Sequence, residues 1–165
     1  MATAPTLIIA YTSEDGRYNA VVEAAEEAAR AAAARLILFD ADAASRVSEP
    51  LPSNWSGEGA RDLFDRDALS PDELEAAGRH AIAEQVRHAR DQGIQAFGWL
   101  PKSKDADAIA AYAEREGADL IVLPSALEDP GLMGKLRGEA SVQEAAEKAH
   151  RPLAVVDEDG NIEYR

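Results

Sequence analysis

The sequence predicts an α/β fold, a doubly wound five-stranded parallel sheet with helices on both of its faces. Two observations predict it. Short aliphatic runs alternate with helical stretches along the 165 residues, in the order βαβαβαβαβ. The composition, 46% hydrophobic and 29% charged, is that of a globular domain, and a chain of this length buries roughly 70% of its unfolded surface. We therefore expect a single domain built around one sheet.

The predicted strands are aliphatic runs that are too short for helices, as is typical of strands buried on both faces. The first run, 6–12 (TLIIAYT), starts after Pro5, and the run 35–40 (RLILFD) follows it after one helix. A strand, a helix and a second strand in this order form a right-handed crossover between parallel strands. The other predicted strands are 94–100, 118–124 and 152–156.

The predicted helices lie between these runs. Residues 18–34 are rich in alanine, with small apolar residues at three- and four-residue steps, a face that can pack close to a sheet. A second helix is predicted to begin at Ser70, where Ser70-Pro71-Asp72-Glu73 has the form of a capping box, and to run to Gln92 before Gly93. The remaining helices are predicted at 105–116, with Ile109, Tyr112 and Ala113 on one side, and at 141–150.

Two segments are predicted to lie outside this pattern. Residues 42–70 carry prolines and little periodicity, which predicts a long loop that Trp55 and Phe64 anchor on the body of the protein. The domain is predicted to span 1–157, and residues 158–165 to form a C-terminal arm or tail. An Asp-Gly turn in that segment is compatible with a hairpin or with a frayed end.

Charge and cysteine content exclude several classes of function. Thirty-one acidic and 17 basic residues give a net charge of −14, which opposes nucleic-acid binding. The chain has no cysteine, so disulfides and thiolate chemistry are excluded. No apolar run reaches the roughly 20 residues of a membrane-spanning helix, and the N-terminus lacks a signal-peptide pattern. We expect a cytoplasmic protein that binds neither nucleic acid nor membrane, and whose acidity reflects either a high-salt habitat or solubility.

No catalytic residue and no metal ligand is predicted. His80 and His88 lie eight residues apart on one predicted helix, too far along its axis to share a metal. We expect both histidines to be solvated or to lie at a rim. No serine lies in a Gly-x-Ser-x-Gly elbow, which argues against a hydrolase with a covalent nucleophile.

A ligand is expected beyond the carboxyl ends of the strands, where the strand order of a Rossmann-like or flavodoxin-like sheet reverses. The loops that would meet there are 11–16, 40–44 and 124–141. The C-terminal half of the chain contains the stretch 108–124 (AIAAYAEREGADLIVLP), then a Gly-containing loop, a predicted helix that starts at Ser141 and the run RPLAVV. This order of segments resembles the universal stress protein family. This family belongs to the adenine nucleotide alpha-hydrolase-like superfamily, and the resemblance covers nearly the whole chain.

The resemblance implies a nucleotide site from whose pattern this chain departs. Nucleotide-binding members of the family carry an Asp at the end of the first strand. After the fourth strand they carry the pattern Gly-x2-Gly-x9-Gly followed by a Ser or Thr, because glycine lets backbone N–H groups approach phosphate. Here Tyr11 stands at the Asp position and Thr12 at that of the following Gly. Gly131 and Gly134 have the first spacing, but they lie seven residues later than expected.

Two hypotheses follow. In the first, this is a degenerate loop in which Ser141 only N-caps a helix, and the protein has a non-catalytic stress-response role through dimerisation and partner or ligand binding. Acidic residues in the loop favour this hypothesis, because they repel a triphosphate. In the second, the protein binds ATP with Mg²⁺ and hydrolyses it slowly; another anionic or small polar ligand is a third alternative. The candidate binding residues are Tyr11, Thr12, Ser13, Ala41, Ser125, Gly131, Gly134, Gly138 and Ser141.

A homodimer is predicted through the last strand. The resemblance implies pairing there, and the physical reason is that a terminal apolar edge strand tends to pair with another strand. Charges at Val155 and Val156 are accordingly expected to give a monomer or insoluble protein. The candidate interface residues are Leu153, Ala154, Val155 and Val156.

Overall fold

The computed structural model of the chain describes residues 6–13, 16, 18–40, 68–100, 106–124, 152–157 and 159–164. The predicted helix 141–150 and the predicted anchors Trp55 and Phe64 lie outside the described residues.

The described strands form one sheet in the order β3-β2-β1-β4-β5-β6. Strands β1 to β5 are parallel along this order, which confirms the doubly wound parallel sheet, with its reversal between β1 and β4. The predicted count of five strands is wrong, because a sixth strand pairs antiparallel with β5. The bounds are Leu7–Thr12 for β1, Arg35–Asp40 for β2, Ala96–Trp99 for β3, Leu120–Pro124 for β4, Leu153–Val156 for β5 and Ile162–Tyr164 for β6.

The helices follow the predicted order. Ser70 and Glu73 form the predicted capping box: the Ser70 hydroxyl accepts from the Glu73 N–H at 3.3 Å, and the Glu73 carboxylate accepts from the Ser70 N–H at 3.1 Å. None of the helices in the described residues is both long and apolar enough to cross a membrane. The bounds are Asn19–Ala32 for α1, Pro71–Ala76 for α2, His80–Asp91 for α3 and Ala106–Glu116 for α4.

The prediction of a single helix from Ser70 to Gln92 is wrong, because the chain breaks into α2 and α3 at Gly78. Gly78 has a φ of +80°, a left-handed conformation that glycine adopts without steric cost. The Arg79 N–H donates to the Leu74 carbonyl and the Gly78 N–H to the Glu75 carbonyl, the two bonds of a Schellman motif. The capped end satisfies the last carbonyls of α2 and lets α3 start in a new direction.

Helices cover both faces of the sheet, and alternate residues of the buried strands pack against one layer or the other. On one side the strands pack against α1, α2 and α3, and on the other side against α4. The predicted apolar side of α4, formed by Ile109, Tyr112 and Ala113, is confirmed as buried. The strand residues on the first side include Ile8, Ala10, Leu36 and Leu38, and those on the second Leu7, Ile9, Ile37 and Phe39.

The C-terminal segment forms a hairpin, the first of the two predicted alternatives. The Asp157 carboxylate accepts from the N–H groups of Asp159 and Asn161, both at 2.9 Å, and so fixes the turn between β5 and β6. The premise of the dimer prediction is therefore wrong: β5 is no edge strand, since β4 and β6 pair with its two sides. Val155 and Val156 are only 4% and 1% exposed, so charges there would disrupt the core whether or not a dimer forms.

Replacing Gly98 of β3 by Ala is expected to destabilise the protein. An added Cβ would lie 2.7 Å and 2.8 Å from the two Cδ atoms of Leu74, a fully buried side chain of α2. Overpacking of this kind costs about 1–3 kcal/mol in free energy of unfolding, measurable by urea denaturation. In a Leu74→Ala background the same substitution should cost less, and an equal cost in both backgrounds would contradict the packing argument.

Removing the Asp157 carboxylate is expected to loosen β6. Hydrogen bonds, chiefly from Asn161, lower the pKa of Asp157, so the folded state gains stability above the ordinary carboxyl pKa and loses it as the pH falls through the lowered value. Asp157→Ala should therefore lower the melting temperature and speed amide exchange over Ile162–Tyr164, with a difference from wild type that shrinks in acid. The control is Asp159→Ala, which keeps the backbone N–H that this residue gives to the turn. Equal effects of the two substitutions would contradict the assignment.

Candidate functional site

The strand order reverses beside β1, the position at which open α/β sheets bind their ligands. From the carboxyl end of β1 the chain passes through Ser13 and a turn at Gly16, whose φ is +77°, and enters α1 at Asn19. The neighbouring strand β4 ends at Pro124. The candidate site is thus built from the end of β1, the start of α1 and the end of β4.

Tyr11 lies at the end of β1 and points toward the α4 side of the sheet. Its ring packs edge-on against Tyr18, with centroids 5.0 Å apart, and against Phe39, with centroids 5.5 Å apart. Tyr11 is buried, whereas Tyr18 is partly exposed just before α1. Tyr11, which stands where the resemblance implies an Asp, is therefore an aromatic packing residue. Of the two rings, Tyr18 is the one that solvent reaches.

The aromatic packing continues across the sheet from Phe39. Trp99 of β3 lies 5.9 Å from Phe39 by ring centroids and stacks on Tyr112 of α4 at 3.7 Å, with 5° between the two planes. The Trp99 indole N–H is buried and has no hydrogen-bond acceptor within the described part of the chain. The row of rings fills the α4 side of the sheet below the candidate site.

Thr12 points to the opposite face from Tyr11 and is fully buried. Its hydroxyl donates to the Gln85 side-chain oxygen of α3 at 2.9 Å, and the Gln85 amide nitrogen donates to the Asn19 side-chain oxygen at 3.3 Å. Ser13 is also fully buried. The predicted binding residues Tyr11, Thr12 and Ser13 thus do not converge on one point, and a ligand would reach the Thr12 hydroxyl proton only if Gln85 moved.

Among the described residues, no side chain caps the start of α1, which is part of the candidate site. Tyr18 occupies the N-cap position and makes no side-chain cap hydrogen bond, and the first turn carries no acidic residue. The first N–H groups of a helix have no partner within the helix and carry the positive end of its dipole. In a chain of net charge −14, this 14-residue helix presents an end that favours an anion.

A groove of about 450 Å³ runs between α1 and α3 from this edge of the sheet. Both predicted surface histidines are confirmed as exposed, and His88 lines the groove. Among the described residues, no three His, Cys, Asp or Glu side chains are placed to hold a metal ion. The lining residues are Gly16, Asn19, Val22, Glu23, Glu26, Ala81, Glu84, Gln85 and His88.

Comparison with known proteins identifies the fold. No protein-family model matches the sequence, and no curated protein matches it. A universal stress protein solved in complex with cAMP aligns with 93% of this chain and 98% of its own, at 18% identity and a TM-score of 0.52. The universal stress protein from Archaeoglobus fulgidus in complex with dAMP aligns over the same shares, 93% and 98%, at 15% identity and a TM-score of 0.52. The chain has the universal stress protein fold.

An enzyme is also among the structural neighbours of this chain. A deacetylase triple mutant from the teicoplanin biosynthetic pathway aligns with 92% of this chain and 63% of its own, at 17% identity and a TM-score of 0.51. The fold therefore does not specify the function, which depends on the side chains at the carboxyl edge.

Sequence reasoning missed two residues at this edge of the universal stress protein fold. Asn19 and Gln85 meet across 66 residues, and Gln85 meets Thr12 across 73 residues. No local sequence pattern predicts such pairs. The available sequence signal for Gln85 is that it lies one turn before His88 on an amphipathic helix. The other predicted binding residues lie outside the described residues: Ala41, Ser125, Gly131, Gly134, Gly138 and Ser141.

Proposed function

We propose that the protein binds an adenine nucleotide at the carboxyl end of β1 and acts as a non-catalytic, ligand-responsive stress protein. The observation that carries the proposal is the start of α1 at the point where the strand order reverses: no described side chain caps it, and its first turn carries no acidic residue. Backbone N–H groups at such a helix end are suited to a phosphate. The binding of cAMP and dAMP by two structural neighbours supports the choice of ligand.

The charge next to the site favours a monophosphate over ATP. Glu14 and Asp15 lie in the segment that connects β1 to α1, and Glu23 lies one turn into the helix. Each carboxylate near the phosphate raises the cost of a ligand with several negative charges. ATP with Mg²⁺ remains the alternative ligand, because a divalent cation would neutralise part of that charge.

The side chains at the described edge support binding without turnover. Thr12, Asn19 and Gln85 are linked by hydrogen bonds, and Tyr18 presents a partly exposed ring. Hydroxyls and amides can hydrogen-bond a ligand but do not take a proton from water near neutral pH. An aromatic ring at the mouth of the site can pack against a purine base.

Isothermal titration with AMP, cAMP and ATP, with and without Mg²⁺, tests this function. Asn19→Asp should weaken AMP binding about fivefold or more, because it places a negative charge in the first turn of α1, where the phosphate would lie. The same substitution should raise the free energy of unfolding by roughly 0.3–1 kcal/mol, because an acid at a helix N-terminus is favourable. Weaker binding by a more stable protein cannot result from misfolding.

The matched control is Gln95→Glu, which adds the same charge at an exposed position before β3, at the opposite edge of the sheet. It should leave the affinity for AMP unchanged. No binding by wild type up to millimolar AMP and ATP would contradict the proposal, and binding of ATP only in the presence of Mg²⁺ would favour the alternative ligand.

We also propose that the homodimer forms through the outer edge of β6, the last strand of the described sheet, rather than through β5. Ile162 and Tyr164 of β6 are 36% and 65% exposed, an apolar pair on a strand whose inner side is paired with β5. A second copy that pairs antiparallel with β6 would cover this edge and these side chains.

Tyr164→Lys is expected to favour the monomer in sedimentation velocity, because an exposed lysine on an edge strand opposes strand pairing. Gln95→Lys, which introduces the same residue at an exposed position before β3 at the other end of the sheet, should leave the dimer unchanged. A wild-type protein that sediments as a monomer at all concentrations would contradict the dimer.

A further inference from the structure

Asn19, the first residue of α1, carries its side-chain amide beside the turn that leads from β1 into this helix. The residue is exposed and lines the groove between α1 and α3. Its Nδ2 and Oδ1 atoms lie 3.7 Å and 3.9 Å from the position that a Cβ on Gly16 would occupy. The two ends of the amide differ in chemistry, because Nδ2 donates hydrogen bonds and Oδ1 accepts them. The end that is free therefore affects which ligands the start of α1 attracts.

Gln85 of α3 engages one end of this amide. Its Nε2 atom donates to Oδ1 of Asn19 at 3.3 Å, so the acceptor end of the Asn19 amide is occupied. Nδ2 of Asn19 carries two protons and has no hydrogen-bond acceptor among the described residues. The donor end of the amide is thus the free one, and it lies next to the N–H groups that begin α1.

The hydroxyl of Thr12 fixes the orientation of Gln85 in turn. It donates to Oε1 of Gln85 at 2.9 Å, and the described residues offer its proton no other acceptor. If the Gln85 amide were reversed, its nitrogen would donate to Thr12, and the proton of a fully buried hydroxyl would have no acceptor. A buried donor without an acceptor is costly, so the hydrogen bonds from Thr12 through Gln85 to Asn19 run in one direction.

This direction suits a phosphate at the start of α1. The oxygens of an ionised phosphate accept hydrogen bonds, so they are attracted by Nδ2 of Asn19 and repelled by Oδ1. Without the bond from Gln85, the exposed amide of Asn19 is free to turn either end toward the ligand. A ligand that lacks a phosphate gains nothing from the fixed orientation, so the effect is specific to the anionic part of a nucleotide.

We propose that Thr12 and Gln85 are positioning residues, which hold the amide donor of Asn19 ready for the phosphate of a nucleotide. The inference rests on the proposed nucleotide site and adds its selectivity: the site prefers a nucleotide to the corresponding nucleoside. Thr12 is buried beneath Gln85, and Gln85 is bonded to Asn19, so both residues act through Asn19. An amide that is held in place before the ligand arrives loses less rotational freedom on binding than a free one.

Binding of AMP and adenosine, which differ by the phosphate, tests the inference. Isothermal titration gives the affinity for AMP, and displacement of AMP gives that for adenosine. Gln85→Leu should lower the ratio of the two affinities by about three- to tenfold, because the donor is no longer held, and should leave adenosine binding unchanged. Asn19→Ala should lower the ratio at least as much, and adding Gln85→Leu to it should cause no further loss.

Two further variants separate positioning from folding. Thr12→Val combined with Gln85→Leu removes both partners of the buried hydrogen bond, so this protein should be nearly as stable as wild type and still show the reduced ratio. Gln92→Leu is the matched control, because it makes the same substitution just after α3, where the Gln92 amide donates to Glu26 of α1 at 3.1 Å. It should leave the ratio unchanged.

The outcomes distinguish this inference from the proposed function. A wild-type protein that does not bind AMP contradicts the nucleotide site itself. A wild-type protein that binds AMP, together with a Gln85→Leu variant that keeps the ratio or loses affinity for AMP and adenosine equally, overturns the positioning role alone. An unchanged ratio in Asn19→Ala also overturns it.

Discussion

The burial of β1 on both faces is the constraint on which the rest of the structure depends. β1 lies between β2 and β4, all six of its residues are buried, and both helical layers pack over it. Because strand side chains alternate, this burial sends Thr12 to the side of α1 and α3, and Tyr11 to the side of α4. The chemistry at the carboxyl edge follows from that alternation: a hydroxyl tied to α3 on one face, and a packed aromatic ring on the other.

The two sides of the sheet are packed by different means. The α4 side is filled by aromatic rings in contact from Tyr18 to Tyr112, a close packing that leaves little freedom. The α1 side combines alanine packing on the sheet with a polar seam between helices, where Thr12, Gln85 and Asn19 bond at one end and Glu26 and its partners at the other. Buried polar groups cost free energy unless they are paired, so the hydrogen bonds of this seam matter for stability in a way that has no counterpart on the aromatic side.

The universal stress protein fold provides the site, and particular residues decide its use. The chain is similar in structure to universal stress proteins solved with cAMP or dAMP and to part of a deacetylase. In this chain the pattern Tyr11-Thr12 replaces the Asp-Gly that the family resemblance implies, and the ring of Tyr11 is committed to packing. What the described edge offers to an anion is therefore backbone, at the start of α1. In the described sheet, β6 rather than β5 is the outermost strand, so β5 is not the edge strand that the resemblance implies for pairing.

The sequence by itself determined the features that depend on neighbours in the chain. The parallel strands, the Ser70 capping box and the end of α4 at Gly117 are local patterns of hydrophobicity, capping and backbone freedom, and all were predictable. The break at Gly78 was also signalled locally, but a continuous helix explained the periodicity equally well until the Schellman bonds showed otherwise. Only the tertiary structure decided that Gln85 meets Thr12, that Gln92 and His88 meet Glu26, and that β6 covers β5. Such contacts join residues far apart in sequence, and their energy depends on burial and geometry that exist only once the sheet has assembled.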